Sequence, residues 1–191
     1  MKFSRHIFIL SGIIFIIAIA VSLNSCEFFV ENEQIKVIEK AATNEAMTVQ
    51  KNEAKLLVKA SRYNLDVIEL CKIIENKDVG ENVKEIVGKI KNEQLDILEK
   101  YDKVASENVV SIPKYSDLEY QEIKQMIEAD DIEEPLELLN DKIASQKELV
   151  KKLSNKTDNS DFKALAHYVH LTLKKSINKT KETLKLINTD S

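Results

Sequence analysis

The chain has 191 residues, of which 31% are charged and 43% are hydrophobic, and its formal net charge is −4. Two Pro and three Gly are too few for the many turns of a β-sandwich or for a glycine-rich nucleotide-binding fold. Three His and no Trp leave little material for an all-His metal site or a nucleobase-stacking surface. The acidic balance argues against nucleic acid as a partner, since phosphate binding requires a basic face.

The N-terminus has the pattern of a secretory signal. Lys2 and Arg5 precede an apolar run over residues 7–23, and small residues follow at the end of that run. An uncleaved signal anchor is the alternative, because the apolar run approaches the roughly 20 residues that span a bilayer.

The sequence Leu23-Asn24-Ser25-Cys26 resembles the lipobox of bacterial lipoproteins, in which an apolar residue stands three places before a Cys and a small residue directly before it. The resemblance implies a signal peptide of residues 1–25, cleavage before Cys26, and acylation of Cys26 with chains such as palmitate. Several acyl chains, each contributing roughly 0.8 kcal/mol per buried CH₂, hold a protein firmly on a membrane. We therefore expect a lipid-anchored protein of the bacterial cell envelope, on the outer membrane or the periplasmic side of the inner membrane.

Acylation of Cys26 leaves Cys71 as the single free thiol, so no intramolecular disulfide can form. The neighbours of Cys71 are apolar, and no His or Arg lies near it in sequence to lower the pKa of the thiol. We expect Cys71 to be a small buried core residue and not a nucleophile.

The chain after Cys26 is predicted to be helical almost throughout. Residues 26–53 form a leader that either extends the first helix or lies loosely, and residues 54–191 form a bundle domain. Four stripes of mainly apolar residues recur at helical steps of three and four. The stripes are Leu57, Ala60, Asn64, Val67, Cys71 and Ile74; Val83, Val87, Ile90, Gln94, Ile97, Tyr101 and Val104; Leu136, Leu139, Ile143, Gln146, Val150 and Leu153; and Phe162, Ala166, Val169, Leu173, Ser176, Thr180 and Ile187.

The breaks between these helices are also visible in the sequence. Residues 76–80 end the first long helix, and Pro113 interrupts the second. Pro135, preceded by two Glu, marks the start of the third, and the polar residues 154–160 supply Asp and Ser side chains that can cap the fourth. Residues 115–129 are predicted to form one shorter helix in the crossover. We therefore predict an all-α fold, an antiparallel four-helix bundle with a helical N-terminal leader.

Three segments carry a resemblance to a known family. They read LLVKASRYNLDVIELCKII, VKEIVGKIKNEQLDILEKYDKVASENVVSIP and DFKALAHYVHLTLKKSINKTKETLKLI, and they span residues 56–187. Together they are similar to the ferritin-like domain of unknown function four-one-four-two, a family of bacterial envelope proteins often described as outer-membrane proteins or lipoproteins. The resemblance implies a ferritin-like bundle.

The chain departs from that family where the family commonly carries helical His residues. An Asp-His pair of the family corresponds to Glu93-Gln94, and two further His correspond to Gln146 and Ser176. The residues that replace the His, namely Gln94, Gln146 and Ser176, are poor metal ligands. Gln94, Gln146 and Ser176 all fall on apolar stripes, so we predict a buried polar layer in which they hydrogen-bond one another, with Asn64 or a water as a further partner. Such a layer would fix the helix register. The alternative is a rotation of the bundle that brings one or two of them to its edge.

His167 and His170 are spaced i, i+3 and share one side of the last helix. They are candidate metal ligands if carboxylates from another helix complete the site. No Glu stands three places before either His, so the Glu-x-x-His pattern of di-iron bundles is absent from the sequence. The simpler interpretation is that both are solvated and that the protein has no cofactor.

No Ser/His/Asp order, Cys/His pair or phosphate-binding Gly loop occurs in the sequence. We therefore expect a non-enzymatic binding or structural role at the membrane, with the lipid anchor at Cys26 as the membrane contact and no nucleic acid as partner. An envelope protein that binds along the leader is a further candidate partner. The alternative function is a metal-binding ferritin-like bundle for redox chemistry or storage.

Overall fold

A computed structural model of the chain describes residues 47–129 and 131–190. The predicted signal peptide, Cys26 and most of the predicted leader lie outside these residues. Nearly all of the described residues belong to one compact unit, Val49–Ser191.

Every regular element in the described part of the chain is a helix. The helices are α1, described over residues 47–75, α2 (Glu81–Glu107), α3 (Tyr120–Glu128), α4 (Glu133–Lys156) and α5 (Ser160–Asp190). The all-α prediction is confirmed. The apolar stripes predicted for α1 and α4 are buried, with every member at most 1% exposed, because a helix buries its stripe against its neighbours.

Contacts across the bundle show the relative direction of α2 and α5. The Oγ of Ser176 on α5 donates to Glu93 on α2 over 2.8 Å. Further along α2, the Nζ of Lys100 lies 4.6 Å from the ring centroid of Tyr168, which precedes Ser176 on α5. The two helices therefore run in opposite directions. The ferritin-like four-helix arrangement goes further than these contacts and stays a prediction.

Helix α2 ends in a Schellman motif. The N–H of Val110 donates to the carbonyl of Ala105 over 2.8 Å, and the N–H of Val109 donates to that of Ser106 over 3.3 Å. The motif places Val109 in the left-handed region with φ of 55°, where Gly is the usual residue and a β-branched residue is strained. The break predicted around Pro113 is therefore present, and it begins at an unexpected backbone conformation.

The crossover differs from the prediction of one helix over residues 115–129, because α3 covers only Tyr120–Glu128. The carboxylate of Asp66 on α1 holds the first residues of the crossover. Its Oδ1 accepts hydrogen bonds from the Oγ of Ser116 over 2.7 Å and from the backbone N–H of Asp117 over 2.9 Å. Hydrogen bonds to a residue on another helix hold this stretch in a non-helical conformation, so it does not join α3.

The loop before α5 is shorter than predicted, because α4 continues to Lys156. The residue that caps α5 is Asn159 and not an Asp or a Ser. Its Oδ1 accepts hydrogen bonds from the N–H groups of Asp161 (2.8 Å) and Phe162 (3.3 Å), which have no partner within the helix.

Candidate functional site

The three residues of the predicted polar layer are all buried, with no exposed surface on Gln94, Gln146 or Ser176. They do not hydrogen-bond one another. Each finds a partner on a different residue, so three separate contacts stand where one shared layer was expected.

Asn64 on α1 pairs with Gln94 on α2. The Nδ2 of Asn64 donates to both the backbone carbonyl of Gln94 (2.9 Å) and its side-chain Oε1. Among the described residues, the Oδ1 of Asn64 and the Nε2 of Gln94 have no hydrogen-bond partner, and the same holds for the Oε1 of Gln146. A buried polar atom without a partner costs about 1–3 kcal/mol. An apolar centre of the same shape would avoid this cost.

Gln146 on α4 pairs with Tyr101 on α2. The Nε2 of Gln146 donates to the phenol oxygen of Tyr101 over 3.3 Å. Burial raises the pKa of Tyr101, and the hydrogen bond from Gln146 offsets only part of that rise. The phenol therefore stays protonated at neutral pH and cannot serve as a general base.

Ser176 belongs to an ion-pair contact between α5 and α2. The Oε2 of Glu93 accepts from the Oγ of Ser176, and the Oε1 of Glu93 accepts from the Nζ of Lys179 over 2.7 Å. The carboxylate thus links two residues of α5. Its role there is to join the two helices, and its charge is balanced by Lys179.

Cys71 is fully buried, which confirms the prediction of a core thiol. Burial is the main cause that raises the pKa of this thiol; Glu75 raises it further and Lys91 opposes the rise. The thiolate is the reactive form of cysteine, so Cys71 is not available as a nucleophile.

His167 is exposed and His170 is half-buried on α5. Partial burial, followed by the charges of Lys147, Lys151 and Lys174, lowers the pKa of His170. Within residues 47–129 and 131–190, no group of three or more His, Cys, Asp or Glu side chains is placed to hold a metal ion. The structure thus supplies no third ligand to this pair from the described residues.

A groove of about 720 Å³ lies beside α1, and sequence reasoning missed it. It is lined by α1 residues between 51 and 66, by residues between 109 and 117, and by one side chain of α4. Thirteen residues line the groove, and five of them are basic: Lys51, Lys55, Lys59, Arg62 and Lys142. We call this surface the lysine groove. Its signal in the sequence is the recurrence of basic residues at positions 51, 55, 59 and 62, which places them on one face of a helix.

Two acidic residues in the lysine groove are already paired. Asp66 binds the Nζ of Lys142 over 2.8 Å, and Asp117 binds Arg62 over 3.1 Å. The remaining three lysines form no ion pair with any residue of the described ranges. The groove therefore has a net positive charge on a chain that is acidic as a whole.

No helix in the described ranges is both long and apolar enough to cross a bilayer. Comparison of the chain with family models, curated proteins and solved structures found no match.

Proposed function

We propose that the protein is a bacterial envelope lipoprotein, tethered through acyl chains on Cys26, whose helical bundle has a non-catalytic binding role. The lysine groove carries the binding part of this proposal, because it is concave, partly apolar and positively charged. The sequence Leu23-Asn24-Ser25-Cys26 supports the tether.

The buried reactive groups support a binding role over catalysis. The thiol of Cys71 and the phenol of Tyr101 have no exposed surface, and burial raises the pKa of both. A nucleophile or general base needs access to substrate and a pKa near the working pH. The groove that is open to ligand is lined mainly by cations and apolar side chains, and its two carboxylates, Asp66 and Asp117, are held in ion pairs.

The ferritin-like resemblance is part of the proposal for the bundle. The positions at which that family commonly carries His hold Gln94, Gln146 and Ser176 in this chain, and all three are buried. The proposal is a bundle of this type that keeps polar residues in its centre without a metal centre. An experimental structure superposed on a family member tests it.

Metabolic labelling tests the tether. Cells that express the full chain would be fed a palmitate analogue with an alkyne handle, and the purified protein would be examined for the label. We expect label on the wild type and none on Cys26→Ala. Cys71→Ala is the matched control and should keep the label. A wild type without label would refute the lipid anchor, and label that survives Cys26→Ala would refute its attachment at Cys26. An intact mass that retains residues 1–25 would show an uncleaved signal anchor.

A metal-binding ferritin-like bundle for redox chemistry or storage is the alternative function. It would use His167 and His170, which share one side of α5. Elemental analysis of the purified full chain tests it. Stoichiometric iron, zinc or manganese that disappears in the His167→Ala, His170→Ala variant would replace the binding proposal.

A further inference from the structure

The cationic wall of the lysine groove comes from one face of α1. Lys51, Lys55 and Lys59 stand at i, i+4 and i+8, so their backbones are spaced by about 6 Å and span about 12 Å along the helix. All three are exposed. Like charges at this spacing repel one another. An anion bound among them would relieve that repulsion.

Apolar side chains lie next to this row of lysines. Ala54 and Val58 come from the same helix, and Val109 and Val110 come from the segment after α2. Val109 is 95% exposed although it is apolar and sits in a strained backbone conformation. It gains almost no burial within the described protein. A bound hydrocarbon chain would remove this apolar surface from water, and that burial would stabilise the complex.

The acidic residues of the groove do not cancel this cationic character. Asp66 and Asp117 are engaged with Lys142 and Arg62, so each pair contributes little net charge to a ligand. The side chain of Asp66 is also buried, with only 4% exposed. The three lysines of α1 therefore set the sign of the field that a ligand meets.

The size of the groove favours a small molecule over a protein. A protein–protein interface normally uses about 20–30 residues on each side, whereas thirteen residues line this groove. Its volume of about 720 Å³ falls within the roughly 300–1,000 Å³ of small-molecule sites. A single ligand with one anionic end and one hydrocarbon chain matches both the lysine row and the valine surface.

From these observations we propose that the lysine groove binds one molecule of an anionic lipid, with its headgroup against Lys51, Lys55 and Lys59 and its acyl chain against Val58 and Val109. The inference rests on the proposed function in one respect, since it names the ligand of the same groove. It does not depend on acylation of Cys26.

Photo-crosslinking tests this ligand. The full chain would be reconstituted in phosphatidylcholine nanodiscs and exposed to hexadecyl phosphate that carries a diazirine on its chain. We expect crosslinks on peptides that contain residues 51–63 and 109–111. A diazirine-bearing phosphatidylcholine of the same chain length is the uncharged-headgroup arm and should label these peptides much less. Equal labelling by the two probes would overturn the proposal.

Matched variants test the role of charge. A triple variant should weaken the apparent affinity for hexadecyl phosphate by roughly tenfold or more, since each cation near an anionic headgroup contributes to binding. This variant combines Lys51→Gln, Lys55→Gln and Lys59→Gln. The matched control is a second triple variant, Lys174→Gln, Lys175→Gln and Lys181→Gln. It removes the same charge from exposed positions on α5 and should leave the affinity within roughly twofold. Circular dichroism checks that both variants remain helical. Equal affinities in the two triple variants would refute the assignment.

Competition separates the other occupants. Unlabelled hexadecyl phosphate should displace the probe, whereas inorganic phosphate and a decaglutamate peptide at the same concentration should not. Displacement by decaglutamate would identify an acidic protein segment, which overturns the lipid and keeps the groove as a binding site. Failure of every anion to bind removes the binding role as well. Neither result changes the labelling of Cys26.

Discussion

Val109 stands where a helix commonly ends with Gly. Its φ of 55° places the backbone in the left-handed region, which costs an L-residue about 1–2 kcal/mol. Its side chain is almost fully exposed, so burial within the described protein offsets little of this strain. Strain of this kind persists when the surrounding hydrogen bonds enforce it, as those of the Schellman motif do here.

We predict that Val109→Gly stabilises the protein by about 0.5–1 kcal/mol. Relief of the strain outweighs the conformational entropy that Gly adds to the unfolded chain, which is about 0.5–1 kcal/mol. The free energy of unfolding from urea denaturation measures the effect. Val110→Gly is the control, and it should destabilise the protein because Val110 packs against the core. A lower free energy of unfolding in Val109→Gly would contradict the prediction and show that the valine side chain makes a stabilising contact.

Asp66 connects three elements from a site on α1 that is 2% exposed. Its carboxylate accepts hydrogen bonds from Ser116 and Asp117 of the crossover and from the ammonium group of Lys142 on α4. Hydrogen bonds to a charged group contribute about 1.5–3 kcal/mol each in favourable cases. Asp66 therefore fixes where the crossover leaves the bundle.

Replacing this carboxylate by an amide should loosen the crossover. We predict that Asp66→Asn lowers the free energy of unfolding by about 2 kcal/mol, since Lys142 loses its partner and the amide accepts fewer hydrogen bonds. Amide hydrogen exchange at residues 115–118 should become faster. Glu85→Gln, which breaks an exposed pair with Lys89, is the control and should leave the denaturation midpoint unchanged. Unchanged exchange at the crossover would contradict this account.

The contact between Tyr101 on α2 and Gln146 on α4 predicts that a second substitution restores stability lost through the first. Tyr101→Phe should destabilise the protein by about 1 kcal/mol, because it leaves the buried amide of Gln146 without any hydrogen bond. Adding Gln146→Leu should then restore much of the stability, since the double variant has no buried polar atom at this contact. Chemical denaturation of both single variants and the double variant completes the cycle. Additive losses would mean that the amide has another partner.

At the scale of the whole molecule, partial burial and then surface charge make the stability depend on pH through His170. Burial and three nearby lysines lower its pKa in the folded state, while Glu148 opposes them. As the pH falls below about 6.5, the unfolded chain therefore takes up this proton before the folded protein does. The free energy of unfolding then decreases as the pH falls.

We predict that His170→Gln flattens the decline of stability between about pH 7 and about pH 5, as measured by urea denaturation at each pH. The double variant Lys147→Gln, Lys151→Gln should flatten this decline of stability only in part, because the cost of burying the charged imidazole remains. Parallel profiles for the wild type and His170→Gln would show that other groups cause the decline.

The parts of the fold that follow from local pattern could be predicted from the sequence. The stripe of α1 from Leu57 to Ile74 is buried as expected, because its spacing alone decides which face of a helix is apolar. The start of α3 could not be predicted, since it depends on hydrogen bonds that the carboxylate of Asp66 accepts from Ser116, 50 residues away in sequence, and from Asp117. The lysine groove was missed for a related reason, because it forms only when residues 109–117 lie beside α1.

The burial of Cys71 has a practical consequence for spectroscopy. In a Cys26→Ala chain the remaining native thiol is fully buried, so a cysteine introduced at the surface becomes the single site for a maleimide dye. Gln125→Cys on α3 would report on the crossover, because Gln125 is exposed. The chain also contains no Trp, so one introduced indole would give a fluorescence signal without background from any other. Energy transfer from the introduced indole to the dye on the same chain would report movement of the crossover.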